Sequence, residues 1–568
     1  MRSLFAYPVS RQWLTSTGDF AMTRAPKPWV RPLQIHQNID TGGYFVKVEF
    51  DKIGGGIGTV SIDRSQMDDP RGAKRTLAQL GARIPPDWLE DLKSALAVES
   101  CQLVATTSVS GWHGTHTFVL KDCILGERGN LRPIAPELRA TLSRGKIVAW
   151  KNGLRSACAG SSYLVFTLAA GLAGPLLRPM GYDEGVVFHL FGQSSTGKSL
   201  ATIAAQSVIE KAGREHLRTF DLTPRALEED AAACNDSMLV VDEAGRMEGS
   251  VAQRRQAFRT LAFKVAGGQG KKRSAKATAD GDLRNVQYLV IGLSSGEEAL
   301  EGSGNLQRKE GEQVRLIGIP VPAPHDGGIF DLEASPPDRA RLAREAEETI
   351  AANHGVPIRR FVRAFLADAD GPAKAKALAD KFIRAVLPIQ TPFGQRFAKK
   401  FAVTYAAAML AADYGIAPWT KKHAAKAIRK IYRAAWREVR PVECEADEFL
   451  AWLNRNAGSD RRFPVIEPGD KIAPKPATRI YGIRRTLQGR MVIAVLRERF
   501  SDLVARGEAD VLELLETRGI LLPGREVRLY VRQLRIKGMP TAKVNVLLFD
   551  LERIIEIGGS MPTTQPES

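Results

Sequence analysis

The sequence predicts an α/β protein: a P-loop core on a parallel sheet, with a small mixed α+β region before it and helical and basic C-terminal regions after it. Three observations lead there. An apolar run, VVFHLF, is followed by GQSSTGKS at residues 192–199 and then by helix-forming LATIAAQSVIEKA. A second apolar run, at 238–241, ends in Asp242-Glu243. Around both, strand and helix patterns alternate, which is the signature of a parallel sheet.

With 568 residues the chain exceeds one hydrophobic core, and several domains of roughly 100–200 residues are expected. Residues 1–150 read as a mixed α+β domain. GGYFVKVEF and GTVSID are expected strands, PRGAKRTLAQLGARI and PPDWLEDLKSALAV expected helices, and THTFVLKDCIL a further strand. Residues 151–322 form the expected core. At its start SSYLVFTLAAGLAGPLL is nearly all apolar, but Gly174-Pro175 breaks it and a strand follows, so a buried helix is expected rather than a membrane span. VPAPHDGGIFDLEASPP reads as a surface crossing. Residues 323–440 read as a helical lid, with Ala-rich runs such as AKKFAVTYAAAMLAADYG. Residues 441–557 form a last, basic unit, and 558–568 a disordered tail.

Lys+Arg is 81 against 63 Asp+Glu, a net charge of +18. An excess that large points to a polyanionic partner, nucleic acid being the commonest. Five scattered cysteines with no C-x-x-C pair argue against a zinc ribbon or a disulfide framework and fit a reducing cytoplasm. The first residues hold no continuous apolar run, so no signal peptide is expected.

Gly192, Gln193, Ser194, Ser195, Thr196, Gly197, Lys198 and Ser199 match G-x-x-x-x-G-K-[ST] at every fixed position, in the strand–loop–helix setting the motif requires. Such a loop curls backbone N–H groups around phosphates, and Gly192 and Gly197 remove β-carbons that would clash. Lys198 is expected on the β- and γ-phosphates of ATP and the Ser199 hydroxyl on Mg²⁺. Asp242, 44 residues after Lys198, is the second expected Mg²⁺ residue, and Glu243 the group that polarises the attacking water. The pair reads as a nucleotide hydrolase. A small-molecule kinase is the rival, and Glu243 argues against it. His189 reads as a packed strand residue. VQYLVIGLSS is a strand ending in Ser294 and Ser295. Either can sense the γ-phosphate, or the pair can cap the following GEEAL.

GWHGTHTFVL, HLFGQSSTGKSLATIAAQSV, VVDEAG, GQGKKRSA, GLSSGE and EGEQVRLIGIPVP together resemble the domain-of-unknown-function family 927, bacterial proteins of plasmids, prophages and mobile cassettes. The resemblance runs over most of residues 32–322. It implies an AAA+ ATPase with a hairpin before its sensor strand, similar to superfamily-three and MCM helicases, hence a DNA helicase or translocase working as a ring, with a hexamer expected. By position it places Lys271, Lys272 and Arg273 at the hairpin tip on the DNA backbone; a solvated basic loop is the alternative. It makes Arg315 a finger reaching a neighbouring subunit's γ-phosphate, although Gly318 stands where the family pattern has an acid. Arg396 is a candidate second sensor or a plain helix-surface arginine.

The C-terminal unit resembles a winged helix. GRMVIAVLRERFSDLVARG and ADVLELLETRGIL are expected helices, and VRLYVRQLRIKGMPTAKVNVLLF two strands; Arg528, Arg532 and Arg535 make the wing basic, so it either touches duplex DNA or binds another protein. Two rivals stand beside the motor: an AAA+ switch that loads or remodels another protein, and a defence or regulatory DNA-binding ATPase.

Overall fold

The computed structural model describes residues 28–559 apart from 41, 108, 128, 134–141, 220–223, 243–250, 269–286, 300–307, 334, 387–390, 467–479, 488, 505–507, 524–529 and 535–542. The chain divides into two compact units on either side of the Thr106–Thr107 bond.

The first unit is a sheet with two helices. β1 (Val30–Asn38), β2 (Tyr44–Asp51) and β3 (Ile57–Asp63) form an antiparallel meander. α1 (Arg71–Gln79) and α2 (Trp88–Ala97) follow, and β4 (Leu103–Thr107) returns parallel to β1. Alternation along β2 buries Val46, Val48 and Phe50, which meet Leu77, Leu92 and Leu96 of the helices in one core.

The second unit opens with three short strands, β5 (Gly111–His113), β6 (Thr117–Val119) and β7 (Ile124–Gly126), in one antiparallel sheet, and then β8 (Leu131–Pro133). THTFVLKDCIL is therefore a hairpin rather than one strand. Its polar Lys121-Asp122 pair turns the chain, closed by the Cys123 carbonyl accepting from the Leu120 amide at 2.8 Å. β5, paired with this hairpin, packs on later residues of this unit: the Trp112 indole donates to the Pro175 carbonyl and its backbone N–H to Asp236.

α3 (Ile147–Gly153) and α4 (Arg155–Ala159) lead to α5 (Ser162–Ala173), every residue of which is buried. A helix apolar on all sides belongs inside a core, and no helix among the described residues is long and apolar enough to cross a membrane. Around it lies a five-stranded parallel sheet in the order β10-β11-β12-β9-β13, made of β9 (Val186–Phe191), β10 (Arg218–Thr219), β11 (Met238–Asp242), β12 (Ile291–Gly296) and β13 (Leu316–Pro320). Covered on both faces, these strands read as continuous apolar runs. α6 (Lys198–Ile209) packs with α5 on one face; α7 (Pro224–Ala233) and α8 (Val251–Gly267) serve the other.

After α9 (Glu310–Gln313) come five helices: α10 (Pro336–Ala352), α11 (Val356–Ala367), α12 (Gly371–Val386), α13 (Pro392–Asp413) and α14 (Lys421–Val439). Phe401 of α13 stacks against Phe166 of α5 and Phe188 of β9, which ties these helices to the sheet.

The last part holds α15 (Val442–Asn456), β14 (Gly482–Leu487), β15 (Arg490–Leu496), α16 (Arg497–Leu503), α17 (Glu508–Thr517), β16 (Val531–Leu534), β17 (Val544–Asp550) and α18 (Leu551–Gly559). Its antiparallel sheet runs β14-β15-β17-β16. Residues 490–496 are thus a strand where a helix was expected. Ile493 and Val495 enter one core and Val492, Ala494 and Leu496 another, so both faces are buried and the apolar run carries no period that separates strand from helix.

Candidate functional site at the carboxyl edge of the parallel sheet

In an open parallel sheet, ligands are held beyond the carboxyl ends of the strands. The glycine-rich loop stands there, between β9 and α6. Gly197, the residue before α6, has φ +88°, and a β-carbon on it would lie 2.7 Å from the Ile329 side chain. Ser195 takes φ +63°, a conformation uncommon outside glycine and typical of loops held for function. Lys198 is buried, and its ammonium donates to the carbonyls of Gly192 at 2.9 Å and Gln193 at 2.6 Å. Burial depresses its pKa, and the carboxylates of Glu297 and Asp242 offset part of that.

The segment expected to cross the surface buttresses this loop instead. Ile329 and Phe330 are buried, the Ile329 amide donates to the Thr196 carbonyl at 2.8 Å, and Ser161 at the start of α5 donates to the Ile329 carbonyl. Gly328, at φ +58°, passes so close to Thr196 that a β-carbon would meet its carbonyl oxygen at 2.4 Å. Proline and glycine there mark a close backbone approach, which sequence alone cannot tell from an exposed turn.

β12 lies between β9 and β11, with Ser294 level with His189 and Val241. Successive strand residues face opposite ways, and this separates the two serines. Ser295 shares its face with Ile291 and Leu293, on the α5–α6 side, and its hydroxyl donates to Asp242. Ser294 faces the other way and bonds the His189 ring at 2.9 Å. The second nitrogen of His189 lies 3.3 Å from the Glu298 carbonyl, and the ring sits 4.8 Å from that of Phe258. Burial pushes the His189 pKa down to about 4, so the ring is neutral at physiological pH. It is a hydrogen-bonded bridge between two strands as well as packing.

Sequence reading missed Glu297, whose carboxylate accepts from the Ser194 hydroxyl of the loop. The only available signal was its place just after β12.

Ser199 and Asp242 offer a hydroxyl and a carboxylate. Mg²⁺ takes hard oxygen ligands and is usually held by one or two protein groups with phosphate and water oxygens, so this donor set fits it. Among the described residues no group of three or more His, Cys, Asp or Glu stands ready to hold a metal.

Other expected residues lie elsewhere. The Arg315 carbonyl accepts from the Val187 amide, which places this arginine at the amino end of β9 and β13, a strand's length from the loop. Its guanidinium bonds Glu184 at 2.7 Å and lies 5.0 Å from the Phe263 ring centre. Glu184 also takes Lys400 at 2.8 Å; burial opposes its ionisation, but Lys400 and Arg315 outweigh it and hold its carboxyl below the usual range. Arg396 pairs with Glu310 at 3.2 Å, one helical turn before Lys400, at this same end of the sheet and away from the loop. Arg532, on edge strand β16, bonds the Pro523 carbonyl. Glu243, Lys271, Lys272, Arg273, Arg528 and Arg535 lie outside the described residues.

Fold and site together define a class: a parallel α/β sheet with a glycine-rich strand–loop–helix and an aspartate–serine pair at its carboxyl edge. Residues 28–287 match the family described as Domain of unknown function (DUF927), the resemblance its motifs carry. GLSSGE and EGEQVRLIGIPVP fall beyond the matched span. The chain is also similar in fold to a solved structure titled "SCCmec type IV Cch - active helicase", with a TM-score of 0.54, 16% identity, and 96% of this chain and 100% of that one covered. No curated protein matches it.

Proposed function

We propose that this chain is an ATP-hydrolysing DNA helicase or translocase of the AAA+ kind, working as a ring, most simply a hexamer, in replication of a mobile element or prophage. The observation that carries the reading is the insertion of β12 between the loop strand and the Asp242 strand, with the Ser295 hydroxyl on Asp242. A hydroxyl beside that carboxylate supports the reading, because a γ-phosphate, its Mg²⁺ and the attacking water would meet there. The motif chemistry and the fold shared with a structure titled a helicase support it.

In this reading residues 151–322 are the ATPase core, 323–440 its lid and 441–557 a winged helix. The backbone N–H groups of residues 192–197 and the Lys198 ammonium bind the phosphates, and the ammonium leaves the loop carbonyls to do so. Ser199 and Asp242 hold Mg²⁺, which neutralises charge developing on the phosphates. Glu243 orients the attacking water and accepts its proton. Ser295, rather than Ser294, senses the γ-phosphate. Arg315 and Arg396 stand at the far end of the sheet from their own loop and act on a neighbouring subunit. Lys271, Lys272 and Arg273 grip the DNA backbone in the channel.

The winged-helix reading draws support from the order α15-β14-β15-α16-α17-β16-β17, with β17 between β15 and β16 and β14 added on the outer edge of β15. Asp510, Glu513 and Glu516 are exposed on α17, however, so duplex contact there falls to Arg528, Arg532 and Arg535 and not to that helix. The same acidic face is the observation that favours the second reading, a switch remodelling a basic protein on DNA. ATPase rate with and without single-stranded DNA, followed by unwinding of a forked duplex, decides between them. Stimulation with unwinding is expected of the motor; DNA-independent turnover without unwinding is expected of the switch.

A further inference from the structure

α14 carries a charge pattern that the carboxyl-edge site does not use. Its 19 residues hold seven Lys and Arg against one acid, Glu438, a net +6 of the chain's +18. One side is core: Ala424, Ala427, Ile428, Ile431, Tyr432 and Ala435 are buried. On the other side Lys422, Lys426, Lys430, Arg433 and Arg437 recur every three or four residues. They form a stripe ~22 Å long at the helical rise.

Lys430 pairs with Asp331 at 2.6 Å. Lys422, Lys426, Arg433 and Arg437 are exposed and make no ion pair among the described residues. A helix face that merely meets water interleaves acids and bases at i,i+4. Here 422 and 426, 426 and 430, and 433 and 437 set like charges at that spacing, which weakens the helix. Lys422 also occupies the first turn, where the helix dipole favours acids and which has none, beside Lys421, which pairs with Asp413. The departures without an acidic partner, at Lys422, Lys426, Arg433 and Arg437, all have the same sign, and a polyanion laid along the stripe would relieve them.

We propose that this face of α14 docks the phosphate backbone of duplex DNA, independently of sequence. The stripe is straight, and duplex DNA is stiff and carries about one charge per 1.7 Å of axis, so the two run side by side without bending either. Single-stranded sites instead expose aromatic rings on which bases stack, whereas the two aromatics of α14, Tyr432 and Trp436, are both buried. The surface uses no residue of the loop at 192–199 and none of the cations Lys271, Lys272 and Arg273, and it does not require that the chain hydrolyse ATP.

The test is equilibrium binding of the full chain, without nucleotide, to a short random-sequence duplex over a range of salt. Changing Lys422, Lys426, Arg433 and Arg437 together to Gln should make the log–log salt dependence shallower by roughly 3–4, about 0.9 for each phosphate that is no longer neutralised. The thermal midpoint should hold or rise as the self-repulsion goes. Lys422→Gln with Arg437→Gln should give about half the change in slope, and this milder pair decides the matter if the fourfold variant does not fold. A slope equal to wild type in a folded variant, or a loss confined to single-stranded DNA, would overturn the proposal.

Discussion

At the scale of single residues, the proposed function divides the carboxyl-edge site into groups that bind and groups that do chemistry. Lys198 has its ammonium among the loop carbonyls, so Lys198→Ala should weaken nucleotide binding, read by titration with a fluorescent ATP analogue. Glu243→Gln should bind ATP normally and turn it over at least ~10²-fold more slowly, the usual scale for a positioned base. Near-normal turnover in that variant would remove Glu243 from the chemistry. His189 makes a prediction of a different kind. Its pKa is about 4 in the folded chain against an ordinary 6.5, so folding disfavours the charged ring. The stability this represents is complete above pH 6.5 and is lost as pH falls toward 4, in total ~3 kcal/mol. Denaturant melts across that window should show the loss in the wild type and a flatter profile in His189→Gln; identical profiles would show that the ring is not buried neutral.

At the scale of elements, the link between α8 and β12 matters most for the motor. Lys271, Lys272 and Arg273 precede the strand that carries Ser295, so movement at a γ-phosphate would reach them along one chain segment. Changing all three to Ala should remove stimulation of the ATPase by DNA and remove unwinding. The drop in affinity should be independent of sequence and should shrink as salt rises, because phosphate contacts release counterions. If the triple variant unwinds a forked duplex as well as wild type, the basic loop is only solvated. The three-stranded sheet of β5, β6 and β7 shows the opposite side of element reading. Its residues look from sequence like part of the N-terminal region, yet Trp112 of β5 bonds Pro175, just after α5, and Asp236, just before β11. Hydrogen bonds spanning some sixty and more than a hundred residues leave no local period to read.

At the scale of the whole molecule, the ring is the open claim. Arg315 stands at the amino end of the sheet in contact with Glu184, so a role for it in hydrolysis requires a second subunit. Arg315→Ala should keep nucleotide affinity and lose turnover, and wild-type specific activity should rise with protein concentration. Mixing Arg315→Ala with Lys198→Ala subunits should restore part of the activity, because some junctions join an intact loop to an intact finger. A fully active monomer insensitive to dilution would sink both the finger and the helicase reading.

By itself the sequence determined the parts whose signal is local. The loop at 192–199, the strand ending at Asp242, the buried helix α5 and the helical stretch before Pro441 each follow from side chains that meet neighbours a few residues away, or from a motif whose spacing is its chemistry. Tertiary structure alone decided what depends on which way a side chain faces and what lies beside it. Ser294 and Ser295 are equal candidates in a string of letters; the pleat of β12 turns Ser295 to Asp242 and Ser294 to His189. Residues 490–496 became a strand because both their faces found a core. The Pro- and Gly-rich stretch before α10 came to rest against the loop because Gly328 allows its backbone to meet that of Thr196. Short-range pattern fixes elements whose period is unambiguous, while register and the contacts between elements far apart in the chain settle the rest and fix which residues share a site.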